Sequence, residues 1–94
     1  GMIDEPGLYV LDEPESALSF DSSLALIQIM VDMRAAGSQV LLATHSPILA
    51  AAPGARLLQL DDAGITEVPY DEADLVTSWR GFLQAPQRYL RHLT

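Results

Sequence analysis

The stretch LYVLDEP at residues 8–14 constrains the fold more than any other part of the sequence. Four consecutive apolar residues stand between a Pro-Gly pair and two adjacent acids, Asp12 and Glu13. Continuous rather than alternating apolarity predicts a strand that is covered on both faces, as in a parallel sheet. We expect this strand to end where the two acids begin.

A second apolar run, QVLLA at residues 39–43, follows the first after a helical pattern. Apolar side chains recur at helical spacing over residues 23–36, with Asp21 or Ser22 as the expected N-cap and Gly37 as the expected stop. The order strand, helix, strand predicts a βαβ unit with parallel strands and a right-handed crossover.

The pattern after the second strand is less regular. Pro47 can begin a short helix through Ala51, and Pro86 can begin a last short helix. The remaining predictions are strands at 57–60 and 65–68 joined by a four-residue turn, and a helix at 71–83. The fold class expected is therefore α/β, with a βαβ parallel-sheet portion followed by a β-hairpin and C-terminal helices. We expect one partial domain over residues 1–94, with its core at 8–47 and an extension at 48–94.

Composition excludes several functions. The 94 residues carry a formal net charge of −8, and none of the 5 basic residues is a lysine. An acidic segment is a poor binder of nucleic acid, and a segment without lysine has no Schiff-base or P-loop lysine of its own. The sequence has no cysteine and no apolar run near the roughly 20 residues that span a bilayer. We therefore expect a cytoplasmic protein that inserts in no membrane and binds no nucleic acid through this segment.

Polar residues follow both predicted strands directly: Asp12 and Glu13 after the first, and Thr44, His45 and Ser46 after the second. Open parallel sheets bind ligands at the carboxyl ends of their strands, and neighbouring strands lie about 4.8 Å apart. Two carboxylates and an imidazole can therefore reach one small ligand. One carboxylate beside a nucleotide can hold Mg²⁺, while its neighbour orients or deprotonates an attacking water.

These motifs resemble those of ABC-type, AAA-family ATPases of the P-loop NTPase superfamily. Residues 8–14 resemble the Walker B segment, residues 15–19 the D-loop, and residues 40–46 the last core strand with its switch histidine. The three motifs occur in the family's order, and 32 positions separate Glu13 from His45. Three ordered motifs are far more specific than any one of them.

The resemblance implies a role for each matching residue. Asp12 would bind Mg²⁺, Glu13 would act as general base or orient the water, and His45 would contact the γ-phosphate of ATP. Ser16, Ala17 and Leu18 would contact the partner subunit in a nucleotide-sandwich dimer. Ser19 departs from the family pattern, which commonly has aspartate at that position.

The P-loop, Gln loop and signature motif of the family are absent from the sequence. In the family they precede the Walker B strand, so the resemblance implies the C-terminal part of an ATP-hydrolysing protein whose upstream half supplies them. We expect ATP and Mg²⁺ to bind in the complete protein, and we expect this chain alone to be inactive. An isolated βαβ unit exposes sheet edges, which predicts self-association.

Other interpretations remain open from the residues alone. Asp12 and Glu13 could be solvated acids at a strand end, and His45 could be a structural histidine. The leading alternative function is a non-catalytic binding module that docks on a full-length ATPase. A phosphatase or receiver-type domain using Asp12 is a weaker alternative, since receiver domains need a lysine that this sequence lacks.

Overall fold

The computed structural model describes residues 7–93 of the chain. They form an α/β fold with a parallel strand pair, an antiparallel hairpin and C-terminal helices, which confirms the predicted fold class. The strands and α-helices are β1 (Leu8–Asp12), α1 (Phe20–Ala35), β2 (Gln39–Ala43), β3 (Leu57–Asp61), β4 (Gly64–Val68), α2 (Asp74–Gln84) and α3 (Pro86–Leu90). Single turns of 3₁₀ helix occupy Pro14–Ala17, Leu49–Ala51 and Tyr70–Glu72.

The chain divides into two compact units, one through Ala55 and one from Arg56 onward. They are called unit 1 and unit 2 below. The expectation of one partial domain with a core at 8–47 stays a prediction, because a compact substructure is not by itself a folding domain. Among the helices within residues 7–93, none has the length and apolar character of a membrane-spanning segment.

Unit 1 is the predicted βαβ unit. Strands β1 and β2 pair in parallel, from Leu8 opposite Gln39 to Asp12 opposite Ala43, and α1 connects them. Helix α1 packs against β2 and the 3₁₀ turn at Leu49–Ala51. This turn begins two residues later than the short helix predicted from Pro47. The most buried apolar residues of unit 1 come from α1 and from the 3₁₀ turn at Leu49–Ala51. They are Met30, Met33, Leu49 and Ala50.

Helix α1 begins at Phe20, three residues earlier than the sequence pattern predicted, and the N-cap prediction was wrong. Ser19 is the N-cap, and its Oγ accepts a hydrogen bond of 3.1 Å from the Ser22 amide. Ser19 has the extended backbone that a cap needs, whereas Asp21 lies inside the first turn, where a negative charge favours the helix dipole. The predicted stop at Gly37 is confirmed by the helix end at Ala35 and by the positive φ of 88° at Gly37.

Burial on both faces of the strands was also predicted, and it is wrong for this chain. Leu8, Val10 and Leu41 share one face of the sheet and are 63%, 65% and 58% exposed. Residues on the opposite face of both strands are half-buried. Continuous apolar runs indicate two covering layers, but in residues 7–55 one face of the strand pair is left exposed, while α1 packs against β2.

Unit 2 contains the hairpin and the last two helices. Asp61 pairs with Gly64, so the turn has two residues rather than the four that were predicted. Gly64 has a φ of +116°, and the Asp61 carboxylate accepts a 2.8 Å hydrogen bond from the Ala63 amide, which closes the turn locally. The predicted helix at 71–83 is interrupted, because Ala73 is extended and α2 starts at Asp74. The prediction that Pro86 begins a short helix is confirmed.

Candidate active site

The functional side chains predicted from the sequence meet at the carboxyl ends of β1 and β2, here called the carboxyl-end edge. Strands β1 and β2 end opposite each other at Asp12 and Ala43. The Glu13 amide then donates a 2.7 Å hydrogen bond to the Ala43 carbonyl, which extends the pairing by one residue. Because the strands are parallel, the residues that follow each of them emerge at the same edge.

Glu13 and His45 are in direct contact across this edge. Oε1 of Glu13 lies 3.0 Å from Nε2 of His45, with the two side chains 54% and 86% exposed. The pair is therefore open to solvent and can contact a ligand at the edge. Glu13 has left-handed backbone angles, φ 46° and ψ 52°, and is the one non-glycine residue with positive φ in residues 7–93. Such a conformation costs roughly 1–2 kcal/mol and is typical of functional positions.

Glu15 joins the two loops at the carboxyl-end edge, and the sequence analysis gave it no individual role. Its Oε1 accepts a 2.7 Å hydrogen bond from the Thr44 hydroxyl, and its Oε2 accepts a 2.9 Å bond from the His45 amide. Partial burial by itself raises the pKa of the Glu15 carboxyl, but these hydrogen bonds outweigh it and the pKa lies below its usual value. The only signal in the sequence is a third carboxylate two positions after Glu13.

The loop that carries His45, residues 44–48, is held by two hydroxyl groups. The Thr44 hydroxyl, besides donating to Glu15, accepts a 2.9 Å bond from the Ser46 amide. Oγ of Ser46 accepts bonds of 3.2 and 3.3 Å from the amides of Ile48 and Leu49. Leu49 is 1% exposed, so this series of hydrogen bonds connects the carboxyl-end edge to the core of unit 1.

Asp12 is suited to bind a metal ion together with a ligand. It is exposed at the end of β1, and no side-chain hydrogen bond within residues 7–93 occupies its carboxylate. The same part of the chain contains no cluster of three or more His, Cys, Asp or Glu side chains able to hold a metal by itself. Mg²⁺ does not need such a cluster, because it commonly takes one or two carboxylates, several waters and the phosphates of a nucleotide. The residues present therefore fit Mg²⁺ bound with ATP.

Ser16 and Ala17 are exposed, and Leu18 is half-buried, directly after Glu15. The Leu18 amide donates a 2.9 Å bond to the Glu15 carbonyl, so these residues form a compact turn beside the carboxyl-end edge. Ser19, the departure from the family pattern, caps α1. Serine and aspartate are both good caps, so the substitution preserves the helix start. The partner-contact role of Ser16, Ala17 and Leu18 stays a prediction.

Strand β1 ends at Asp12 and is followed by Glu13, and the parallel strand β2 ends at Ala43 and is followed by Thr44 and His45. This is the arrangement expected from the resemblance to ABC- and AAA-type P-loop ATPases. Comparison with known families agrees. The family model described as "AAA domain, putative AbiEii toxin, Type IV TA system" matches residues 2–51, just over half of the chain. The chain belongs to this family.

A curated relative supports the same class. The chain is 42% identical over 60 residues to the cytochrome c biogenesis ATP-binding export protein CcmA of Paramagnetospirillum magneticum (strain ATCC 700264 / AMB-1). The match covers 64% of this chain and 27% of the relative, so the chain spans about a quarter of that protein's length. No solved structure matches the chain significantly.

Proposed function

We propose that this chain supplies the catalytic edge of an ATP site in a larger ABC-type ATPase, as its C-terminal part, and that it does not hydrolyse ATP alone. The observation that carries the proposal is the 3.0 Å contact between Glu13 and His45 at the ends of two parallel strands. A carboxylate placed there accepts a proton from an attacking water, and an imidazole beside it donates to a phosphate oxygen.

Each residue has one task in this proposal. Asp12 holds Mg²⁺, which would neutralise charge on the phosphates of bound ATP. Glu13 orients or deprotonates the attacking water, and His45 contacts the γ-phosphate. The Lys-bearing phosphate loop comes from elsewhere, because this sequence has no lysine.

Two measurements test the proposal. The first is calorimetric titration of the pure chain with Mg-ATP together with a phosphate-release assay. We expect neither tight binding nor turnover, because most phosphate contacts come from the P-loop. Turnover by the pure chain that disappears in Glu13→Gln would overturn the claim that the chain is inactive alone.

The second measurement uses the complete ATPase that contains this segment. Glu13→Gln should lower turnover by about 10²-fold or more while ATP binding is retained, because general-base catalysis contributes factors of this size. Glu72→Gln, the same change at an exposed position of unit 2, is the matched control and should leave turnover unchanged. Equal turnover of Glu13→Gln and the control would reject Glu13 as the water-activating residue.

The partners we propose are the upstream half of the ATPase and, in the complete protein, a second copy in a nucleotide-sandwich dimer contacted by Ser16, Ala17 and Leu18. The exposed apolar face formed by Leu8, Val10 and Leu41 supports association of the isolated chain with itself. Light scattering at micromolar concentration should therefore give a mass above 10.2 kDa. A strict monomer would contradict self-association.

The same exposed face favours a second candidate, a non-catalytic module that docks on a full-length ATPase. The calorimetric titration separates it from the first. Binding of Mg-ATP by the pure chain that is lost in Asp12→Ala would mean that the chain carries a complete nucleotide site of its own. In that case the binding module would become the leading function.

A further inference from the structure

Glu15 stands between two functional segments of unit 1. It follows the Glu13 position by two residues and directly precedes Ser16, Ala17 and Leu18, the predicted partner-contact residues. Its carboxylate nevertheless bonds to a different part of the chain, the loop of residues 44–48, some thirty positions away. None of the chemical tasks proposed above requires this carboxylate, so its two hydrogen bonds need another explanation.

The bonds of Glu15 are well suited to fixing the backbone at His45. Both donors point at an ionised carboxylate, at 2.7 and 2.9 Å, and hydrogen bonds to charged groups are stronger than neutral ones. One of the two donors is the His45 backbone amide itself. The other is Thr44, which also accepts a hydrogen bond from the Ser46 amide. The His45 backbone is therefore held directly by Glu15, through its own amide and its preceding neighbour.

The contact between Glu13 and His45 lies beside these hydrogen bonds. The paired strands end at Asp12 and Ala43, and the Glu13 amide makes the last ladder-type bond. Beyond it, the side chains of Glu13 and Glu15 both reach the loop of residues 44–48. The His45 side chain is 86% exposed, so side chains other than Glu13, which contacts its Nε2 at 3.0 Å, do little to confine it. Its position is determined largely by where its backbone lies.

We propose that Glu15 is a positioning residue that holds His45 against Glu13 and couples the position of the partner-contact turn, residues 16–18, to the position of His45. A displacement of the turn on contact with a partner would move the Glu15 backbone, and the carboxylate would carry that displacement to the His45 amide. The consequence for ATP hydrolysis rests on the proposed function. The positional coupling itself belongs to this chain and can be measured without nucleotide.

The first test is amide hydrogen exchange of the chain, resolved by residue. The His45 amide should exchange about tenfold or more faster in Glu15→Ala, because the Glu15 carboxylate that accepts its hydrogen bond is removed. Amides of β1 and β2 report whether the variant remains folded, and Glu72→Ala is the control in unit 2. Glu15→Gln keeps an oxygen acceptor without the charge, so its His45 exchange rate should lie between those of wild type and Glu15→Ala. An unchanged His45 exchange rate in a folded Glu15→Ala variant would overturn the proposal.

The second test distinguishes coupling from simple bracing of the loop. Ala17→Gly loosens the partner-contact turn and should shift the NMR signals of the His45 amide and ring. The same change made in Glu15→Ala should shift them much less, because the connection is gone; such a double-mutant cycle isolates the pairwise effect. Equal shifts in both backgrounds would mean that Glu15 only holds the loop of residues 44–48 in place. They would reject the coupling between the turn of residues 16–18 and His45.

A third measurement, in the complete ATPase, connects positioning to catalysis. Glu15→Ala should lower kcat with little change in KM, and Glu15→Gln should restore part of the loss. If the exchange and NMR effects occur but kcat is unchanged, the positioning stands and the proposed function of the carboxyl-end edge fails. If Glu13→Gln abolishes turnover but Glu15→Ala changes neither His45 nor kcat, the function stands and the positioning role fails.

Discussion

Glu15 of unit 1 and the arginine-paired carboxylates of unit 2 are held in different ways. In unit 1, Glu15 accepts bonds from a backbone amide and a hydroxyl that lie 30 and 29 positions away. In unit 2, Glu67 and Asp71 each pair on the exposed surface with an arginine, which lies 11 and 9 positions away in the sequence, respectively. Both arrangements place hydrogen-bond donors against a carboxylate, but only the first connects loops that are distant in sequence.

This difference predicts how strongly substitutions at these carboxylates change the stability of each unit. Exposed ion pairs contribute little and are screened by salt, because water and counterions compete for both charges. A carboxylate that satisfies backbone donors fixes the path of the chain, so its removal leaves those donors without their partner. Substitutions in unit 1 should therefore change stability more than those in unit 2, and should do so with little dependence on salt.

The largest effect on stability is expected from Gly54→Ala in unit 1. Gly54 has a φ of +75°, and a Cβ there would overlap the Arg34 guanidinium, whose Nη1 donates a 3.4 Å hydrogen bond to the Pro53 carbonyl. The left-handed backbone alone costs a residue with a Cβ roughly 1–2 kcal/mol, and the Arg34 guanidinium, the far end of a flexible side chain, can move aside at little further cost. We expect a loss of about 1–2 kcal/mol, mostly from the backbone, measured as faster amide exchange throughout α1.

Arg34→Ala provides the matched background. In the double variant the overlap is removed and only the backbone cost remains, so Gly54→Ala should be less destabilising there than in wild type. The same loss in both backgrounds would mean that the overlap contributes nothing. A neutral Gly54→Ala would mean that neither the left-handed backbone at Gly54 nor the overlap with Arg34 affects the stability of unit 1.

The second effect is the pH dependence of unit 1. The pKa of Glu15 is lower in the folded chain than its usual value, because the His45 and Thr44 hydrogen bonds outweigh partial burial. The contribution of Glu15 to the free energy of unfolding is therefore present above the ordinary glutamate pKa of about 4.3. It is lost as the pH falls through the lower pKa that Glu15 has in the folded chain. At pH 7 we expect Glu15→Ala to cost about 1–2 kcal/mol in unit 1, and the cost should shrink in acid. A cost that does not change between pH 7 and pH 3, measured by amide exchange corrected for intrinsic rates, would contradict this account.

Local patterns in the sequence predicted the elements and the edge at which Glu13 and His45 meet, while the hydrogen bonds of Glu15 to the distant loop escaped prediction. The apolar runs at 8–11 and 39–43 and the helical spacing between them specified the βαβ unit, and strand-end geometry placed Glu13 beside His45. Ser19, Asp21 and Ser22 are all cap-forming types, so the cap could not be chosen without the backbone. The bonds of Glu15 depend on how two loops lie after the strands pair, which no local pattern contains. Strand burial was wrong because apolarity indicates that a strand can be covered, not that it is.

The third effect concerns the start of α1. Ser19→Ala removes the cap acceptor of the Ser22 amide and should cost about 1 kcal/mol or slightly less, with faster exchange confined to the first turn of the helix. Ser19→Asp keeps an acceptor for the Ser22 amide, so that amide should remain as protected from exchange as in wild type. This result would also explain why both residue types suit this position. If the first-turn amides of α1 exchange as fast in Ser19→Asp as in Ser19→Ala, the side-chain cap does not determine where the helix starts.

The smallest effect is expected in unit 2, at the exposed pair of Arg56 and Glu67. Their side chains meet at 2.9 Å while 77% and 54% exposed; the hydrogen bond and opposite charge lower the pKa of Glu67 and raise that of Arg56. Both shifts favour the charged forms, so the pair contributes above the ordinary glutamate pKa and loses its effect in acid. Water screens the pair, so Glu67→Gln should leave the urea midpoint followed by the fluorescence of Trp79 nearly unchanged. Any small difference from wild type should vanish in 1 M salt. A loss of stability in Glu67→Gln as large as that in Glu15→Ala, and persisting in 1 M salt, would mean that the Arg56–Glu67 pair stabilises unit 2 as strongly as Glu15 stabilises unit 1. The contrast between the two units would then be rejected.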